Sequence, residues 1–347
     1  MKLNDLITFD RMGDFWDILR QVDPEGLVRD AHQSFRIVIV GPSGAGKRAL
    51  AAALTGADVD RLGTASTVVE VCDLSSDLPV ALPNADIYLY LATPEFIPSP
   101  AQRDQFRQLS RRTDRLLAIV NRAGQDPGRV EDGREELGHW LSVETDAILS
   151  LSPTDHAEVT SVLVPRILKL IPSLVLAVGR RLQPFRDAAA DALIAETARV
   201  NAEFVLISGL PASFPVLGTI AAAGADLVVL TKNQIMLLLK LAVLYHRPVD
   251  NRLQVVSEIA PIVGAAFVWR TAARTLVSLV PSPLAIAPQV AIGYVGTFVV
   301  GKSAHYYYRW GRRPSPVALE QFRQEALVHL NGVAPVLARF GRILRLS

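Results

Sequence analysis

A parallel α/β sheet layered between helices, followed by an all-α hydrophobic half, is the fold class that the sequence predicts. Three observations carry that expectation. Before residue 172, short apolar runs alternate with helix-forming stretches five times, and strands that return in one direction need such crossovers. A glycine-rich turn ending in Lys47 joins the first apolar run to the first helical stretch. Beyond residue 172, two charge-free stretches of 22 and 27 residues, 204–225 and 275–301, are each long enough as helices to cross hydrocarbon about 30 Å thick.

Taken in order, residues 1–34 form an N-terminal segment in which 14–19 and 27–32 read as short amphipathic helices. Its acidic start lacks an apolar run before a small-residue cleavage site, so no secretory signal is expected. Residues 37–40, IVIV, read as a buried parallel strand. Gly41, Pro42, Ser43, Gly44, Ala45, Gly46 and Lys47 follow, then a helix over 49–54 closed by Gly56. In such a strand, turn and helix, backbone N–H groups cradle phosphate oxygens while the lysine reaches the outer phosphates. These residues are the candidate phosphate site. The next position, where a Ser or Thr hydroxyl would bind Mg²⁺, holds Arg48. Arginine cannot ligate a cation, so efficient Mg²⁺-dependent hydrolysis is not expected. Arg48 is either an ordinary first-turn surface residue or a cation lying near the bound anion.

Further strands are expected at 67–72, 87–91, 116–120 and 148–151. Asp73, at the carboxyl edge of the second, stands where a carboxylate holds the water of a bound metal and is the candidate metal ligand.

Over residues 35–172 the chain resembles the Era/TrmE-type small GTPases, which implies a P-loop NTPase-like sheet and GTP or GDP as ligand. The family's guanine-reading Asn-Lys-x-Asp falls on Asn121, Arg122, Ala123 and Gly124, which makes Asn121 and Arg122 candidate nucleotide contacts. The base-reading Asp is missing, and Asp126 comes two residues late. The family's Asp-x-x-Gly falls on Asp73, Leu74, Ser75 and Ser76, so its glycine is replaced. Asp77 stands where a water-orienting Gln or His would follow, and Ser152 matches the start of the motif that backs the base. Only 16 residues lie between Gly56 and Asp73, too few for the family's first switch and antiparallel strand. Thr64 and Thr67 remain as switch threonines, or as plain turn and strand residues.

Composition sets the chain apart from a common soluble enzyme. Half of the 347 residues are hydrophobic, 20 % are charged and the mean hydropathy is +0.27. The single Cys72 rules out an internal disulfide. An Ala-rich amphipathic helix is expected at 182–202; Gly209, Pro211, Pro215 and Gly218 break the first charge-free stretch, and Pro281, Pro283 and Pro288 the second. Asp226, Asn233 and Lys240 recur every seven residues and form one stripe, either a solvated face or a polar seam between helices. His305 to Trp310 read as an interfacial aromatic belt or as a core aromatic cluster. Ser315 and Pro316 start a further helix carrying Leu319, Phe322, Ala326 and Leu330.

From Lys302 onward, eight basic residues face two acids, a net +6 that suits a solvated surface or anionic lipid headgroups. Nucleic acid is not an expected partner, because the aromatics there are clustered and not interleaved with the cations. The stretch 210–308, with LPASFPVLGTI, Thr231-Lys232-Asn233-Gln234 and the Leu-rich run to Tyr245, resembles the YcjF-type hydrophobic domain of unknown function. That resemblance implies a bacterial inner-membrane location and a fusion to a GTPase domain. The expected organisation is 1–34, a P-loop GTPase-like domain at 35–172, the hydrophobic helical domain at 173–313 and a basic amphipathic helix at 314–347. The expected function is a degenerate GTPase that acts as a binding or scaffold module for an unidentified protein partner at the cytoplasmic face of the inner membrane. Two alternatives stand beside it: an active GTPase of altered site that remodels membranes, and a soluble, homo-oligomeric interaction protein.

Overall fold

Five runs rich in Val, Ile, Leu and Tyr build a single parallel sheet in the computed structural model, which describes residues 24–57, 68–74, 82–208, 225–249, 255 and 282–330. The strands are β1 (Ile37–Gly41), β2 (Val69–Asp73), β3 (Ile87–Ala92), β4 (Leu116–Asn121) and β5 (Leu149–Leu151). Each lies close to its expected span. Their order is β2-β1-β3-β4-β5, with every neighbouring pair parallel. The order reverses at β1, so the crevice beyond its carboxyl end is a topological switch point, the place where open α/β sheets bind ligands. Among the described residues no antiparallel strand joins the sheet. Thr64, Thr67, Ser75, Ser76 and Asp77 lie outside the described residues.

Contacts divide the chain into two units, Asp30–Ala189 and the remainder, Met1–Arg29 with Ala190–Ser347. Helix α1 (Pro24–Ala31) precedes β1 in sequence, all but its last two residues falling in the second unit; in the first, α2 (Lys47–Thr55) follows β1, and α3 (Pro100–Arg112) and α4 (Pro127–Leu141) flank β4 in sequence. Strand alternation sorts the side chains: Val38, Val40, Tyr88, Tyr90 and Val120 share one core with Phe106 of α3 and Leu137 of α4. Ile37, Ile39, Ile87, Leu89 and Leu91 point the other way and are equally buried. Helix α2 packs on β1 and β2 and also meets Val159–Leu163 and Gln183–Phe185. Gly56 ends it as expected, with φ 72° and its N–H on the Ala52 carbonyl.

Helices α5 (Val164–Leu170) and α6 (Val175–Arg181) complete this unit. The bent pair His156–Leu170 and Pro172–Arg181, which turns through 106°, has the length and composition of a broken membrane span. Many of its apolar side chains are spent inside the protein, Val159, Leu163, Ile167 and Val178 having no exposed surface, while Val162 is 40 % exposed. Among the described residues no single helix is long and apolar enough to cross a membrane.

The second unit is helical. Its helices are α7 (Arg186–Ser208), α8 (Ala225–Leu244), α9 (Ser282–Trp310) and α10 (Pro316–Leu330). The Ala-rich helix therefore starts later than expected, because Pro184 fixes a tight turn over Gln183–Phe185 before the helical bonds begin. Conversely, α9 runs on through Pro288, which was expected to break it. The helix continues although Pro288, beyond its first turn, supplies no N–H to the helical ladder. Most of the first charge-free stretch, with its glycines and prolines, and the basic 331–347 lie outside the described residues.

Small residues set how near these helices come. A side-chain carbon added at Gly301 would meet Ile194 of α7 at 2.7 Å and Leu237 of α8 at 3.1 Å. Where they meet, a buried polar chain crosses three helices. Asn201 donates to Thr297 Oγ1 at 2.9 Å, Asn233 donates to Asn201 Oδ1 at 2.7 Å, and Gln234 donates to Thr297 Oγ1 at 3.1 Å. Asn233 is thus part of a seam between helices. At the other end of α9, Lys302 bridges Asp191 of α7 at 2.9 Å and Glu325 of α10 at 2.8 Å. Tyr308 stacks on Tyr245, and Tyr306 meets Phe322, so these rings pack between helices, whereas Trp310 is 56 % exposed. Helix α10 starts as its sequence indicates, with the Ser315 hydroxyl accepting from Ala318 N–H.

Candidate functional site

The turn between β1 and α2 is shaped by what its glycines permit. At Gly41 a side-chain carbon would sit 2.0 Å from the Leu91 carbonyl oxygen, so any other residue would push β1 off β3. Gly46, at φ 96°, precedes the first residue of α2 in the left-handed region, and no side chain caps the helix. The first amides of α2 are therefore not taken by a cap, and they form the positive end of its dipole.

Lys47 is the buried cation of this turn, only 5 % exposed. Its ammonium donates to the Pro42 carbonyl, across the turn, and pairs with Asp73 Oδ1 at 2.5 Å. The parallel register that sets Gly41 opposite Asp73 brings the two together. Asp73 itself is 66 % exposed. Beyond it, Leu74 donates to the Gly41 carbonyl and accepts from buried Gln102 of α3, which fixes the exit of β2. Next to Asp73, burial first and then the Glu70 and Asp73 carboxylates push the Cys72 thiol above its ordinary range, so it stays protonated.

The ends of β4 and β5 close on the turn from one side. Asn121 donates from Nδ2 to the Ala45 carbonyl at 3.0 Å and accepts from Ala123 N–H at 2.9 Å. Arg122 points away, with Nε and Nη2 on Glu158 Oε1 at 3.1 and 2.6 Å. Glu158 Oε2 accepts from the Ser152 N–H at 2.8 Å. Asp126 caps α4 through the Gly128 N–H at 3.0 Å, and Gly124 has no side chain to offer. On the other side lies a cleft of about 830 Å³ lined by Pro42, Ser43, Asp73, Phe96, Ser99 and Arg103, among others.

The structure thus gathers Gly41, Pro42, Ser43, Gly44, Ala45, Gly46, Lys47, Asp73 and Asn121 around one turn. Arg48 is exposed on the first turn of α2, and Arg122 belongs to a neighbouring ion pair. The sequence reading passed over Glu158; its only signal is that the cap residue Asp155 stands three residues ahead of it, at a helix start. As a magnesium site the donors do not fit. Among the described residues the carboxylate at the turn, Asp73, is held by Lys47, Arg48 brings no oxygen, and no cluster of three metal-ligating side chains occurs. As an anion site they fit, because a phosphate oxygen can replace the Asp73 carboxylate at Lys47 beside the open amides. Compared with protein-family models, curated proteins and solved structures, the chain gives no match.

Proposed function

We propose that the chain is a three-layer, P-loop NTPase-like protein that binds the phosphates of a nucleotide, GTP or GDP, without efficient hydrolysis, and serves as a binding module at the cytoplasmic face of a bacterial inner membrane. The observation that carries the reading is Lys47, a buried ammonium folded across a glycine turn at the switch point of a parallel sheet. A cation kept there beside uncapped helix amides is suited to receive an anion. Arg48, Gly124 and the paired Asp73 speak for retention of the ligand over turnover. The membrane half of the reading rests on the resemblance over 210–308 and on the basic tail.

The test is a titration of the purified full chain with GTP and GDP, with and without Mg²⁺. The expected result is binding that changes less than about threefold with the metal and is weakened at least tenfold in Lys47→Ala, since a charge-assisted contact is worth about 1.5–3 kcal/mol. Turnover that requires Mg²⁺ and disappears in Lys47→Ala overturns the proposal in favour of an active GTPase.

A further inference from the structure

Base identity is read by donors and acceptors along the edge of the base, and a site discriminates only through polar groups left available for that purpose. The phosphate turn has two flanks, and among the described residues most polar side chains on both of them are already committed. On the β4 and β5 flank, Asn121 and Pro153 close on Gly46: a side-chain carbon there would lie 2.8 Å from Asn121 Nδ2 and 3.5 Å from Pro153 Cγ. Asn121 spends its amide on Ala45 and Ala123. The Ser152 N–H belongs to Glu158, whose other oxygen holds Arg122, and Pro153 has no N–H. Asp126 is consumed as the cap of α4. On the cleft flank, Ser99 and Gln102 satisfy one another as a capping box, Gln102 Nε2 also donates to the Leu74 carbonyl, and the Arg103 guanidinium lies over the Trp140 ring at 4.7 Å.

We infer that the site recognises the polyphosphate chain of its ligand and does not read the base, so that any nucleoside triphosphate, or inorganic tripolyphosphate, is taken alike. The inference rests on the phosphate-binding reading above and narrows its ligand class. Among the described residues, recognition rests on the amides at the start of α2 and on Lys47, groups suited to phosphate oxygens. The base is left to solvent or to non-specific stacking.

The experiment is calorimetric titration of the full chain, in EDTA, with GTP, ATP and inorganic tripolyphosphate, followed by displacement of bound GTP with tripolyphosphate. The three dissociation constants are expected to agree within about tenfold, the discrimination that one working hydrogen bond supplies, and tripolyphosphate is expected to displace GTP. A preference beyond about tenfold for one nucleotide over the other, or for nucleotides over tripolyphosphate, overturns the inference while leaving the phosphate-binding reading in place. Absence of binding by all three overturns that reading itself. Binding of tripolyphosphate that fails to displace GTP places the anion elsewhere and overturns the inference.

Discussion

Lys47 and Asp73 exchange the roles that their motif positions suggest. A metal-holding carboxylate would strengthen ligand binding, whereas a carboxylate paired with the phosphate-seeking lysine competes with the ligand. Asp73→Asn is therefore expected to tighten tripolyphosphate binding about threefold to tenfold, measured by titration without metal; unchanged or weaker binding would show that the carboxylate does not compete with the ligand. Gly41 has a plainer role. Its Leu91 contact makes Gly41→Ala expected to cost about 3 kcal/mol in urea unfolding, because a carbon placed 2.0 Å from a backbone oxygen forces β1 and β3 apart. The glycine turn and Lys47 were legible in the sequence because their spacing along the chain encodes local geometry, and Asn121 only through the family motif that it resembles. The Arg122 pair with Glu158 was not, since the two residues are 36 positions apart and no local pattern joins them.

Among the elements, the polar seam joining α7, α8 and α9 and the ion cluster joining α7, α9 and α10 bind the helical unit by different physics. The seam is fully buried at Asn201 and Thr297, so Asn201→Ala leaves the Asn233 amide without its acceptor and is expected to cost about 2 kcal/mol by chemical unfolding. The ion cluster writes itself into the pH dependence. Burial alone would raise the Asp191 carboxyl, but the His305 hydrogen bond and the charge of Lys302 outweigh it and hold it below its ordinary 3.8. Burial alone would likewise lower Lys302, but Asp191 and Glu325 outweigh it and hold it above 10.5. Asp191 thus contributes stability that is present above pH 3.8 and lost as pH falls through its lowered value. The Lys302 contribution is full below pH 10.5 and fades as pH rises through its raised value. Thermal melting is expected to show a plateau between those limits, and Lys302→Met is expected to flatten both shoulders. The seven-residue recurrence located Asn233 on its helix but not its partner, because periodicity names a face and not what covers it.

For the whole molecule, the parallel sheet was the most legible feature: its central strands β1 and β3 are apolar runs whose burial on both faces demands that composition, whereas β2 at the edge carries exposed Glu70 and Val71. The hydrophobic second half was legible as helix but not as environment, since a stretch such as 275–301 suits hydrocarbon and close helix packing alike. Attachment to anionic membranes is expected to appear as co-flotation of the full chain with phosphatidylglycerol vesicles, reduced at least several-fold at 0.5 M salt if the basic tail supplies the attraction. Chain that stays at the bottom of the gradient at low salt would favour the soluble interaction protein. On the phosphate-binding proposal, the lysine across the turn makes loading of the site an ion exchange: one carboxylate would leave as one polyanion arrives. The departing group sits at the tip of β2, beside the anchored Leu74. Occupancy is thus converted into a displaced surface charge, a readable signal that needs no bond cleavage and that ligand dissociation alone erases.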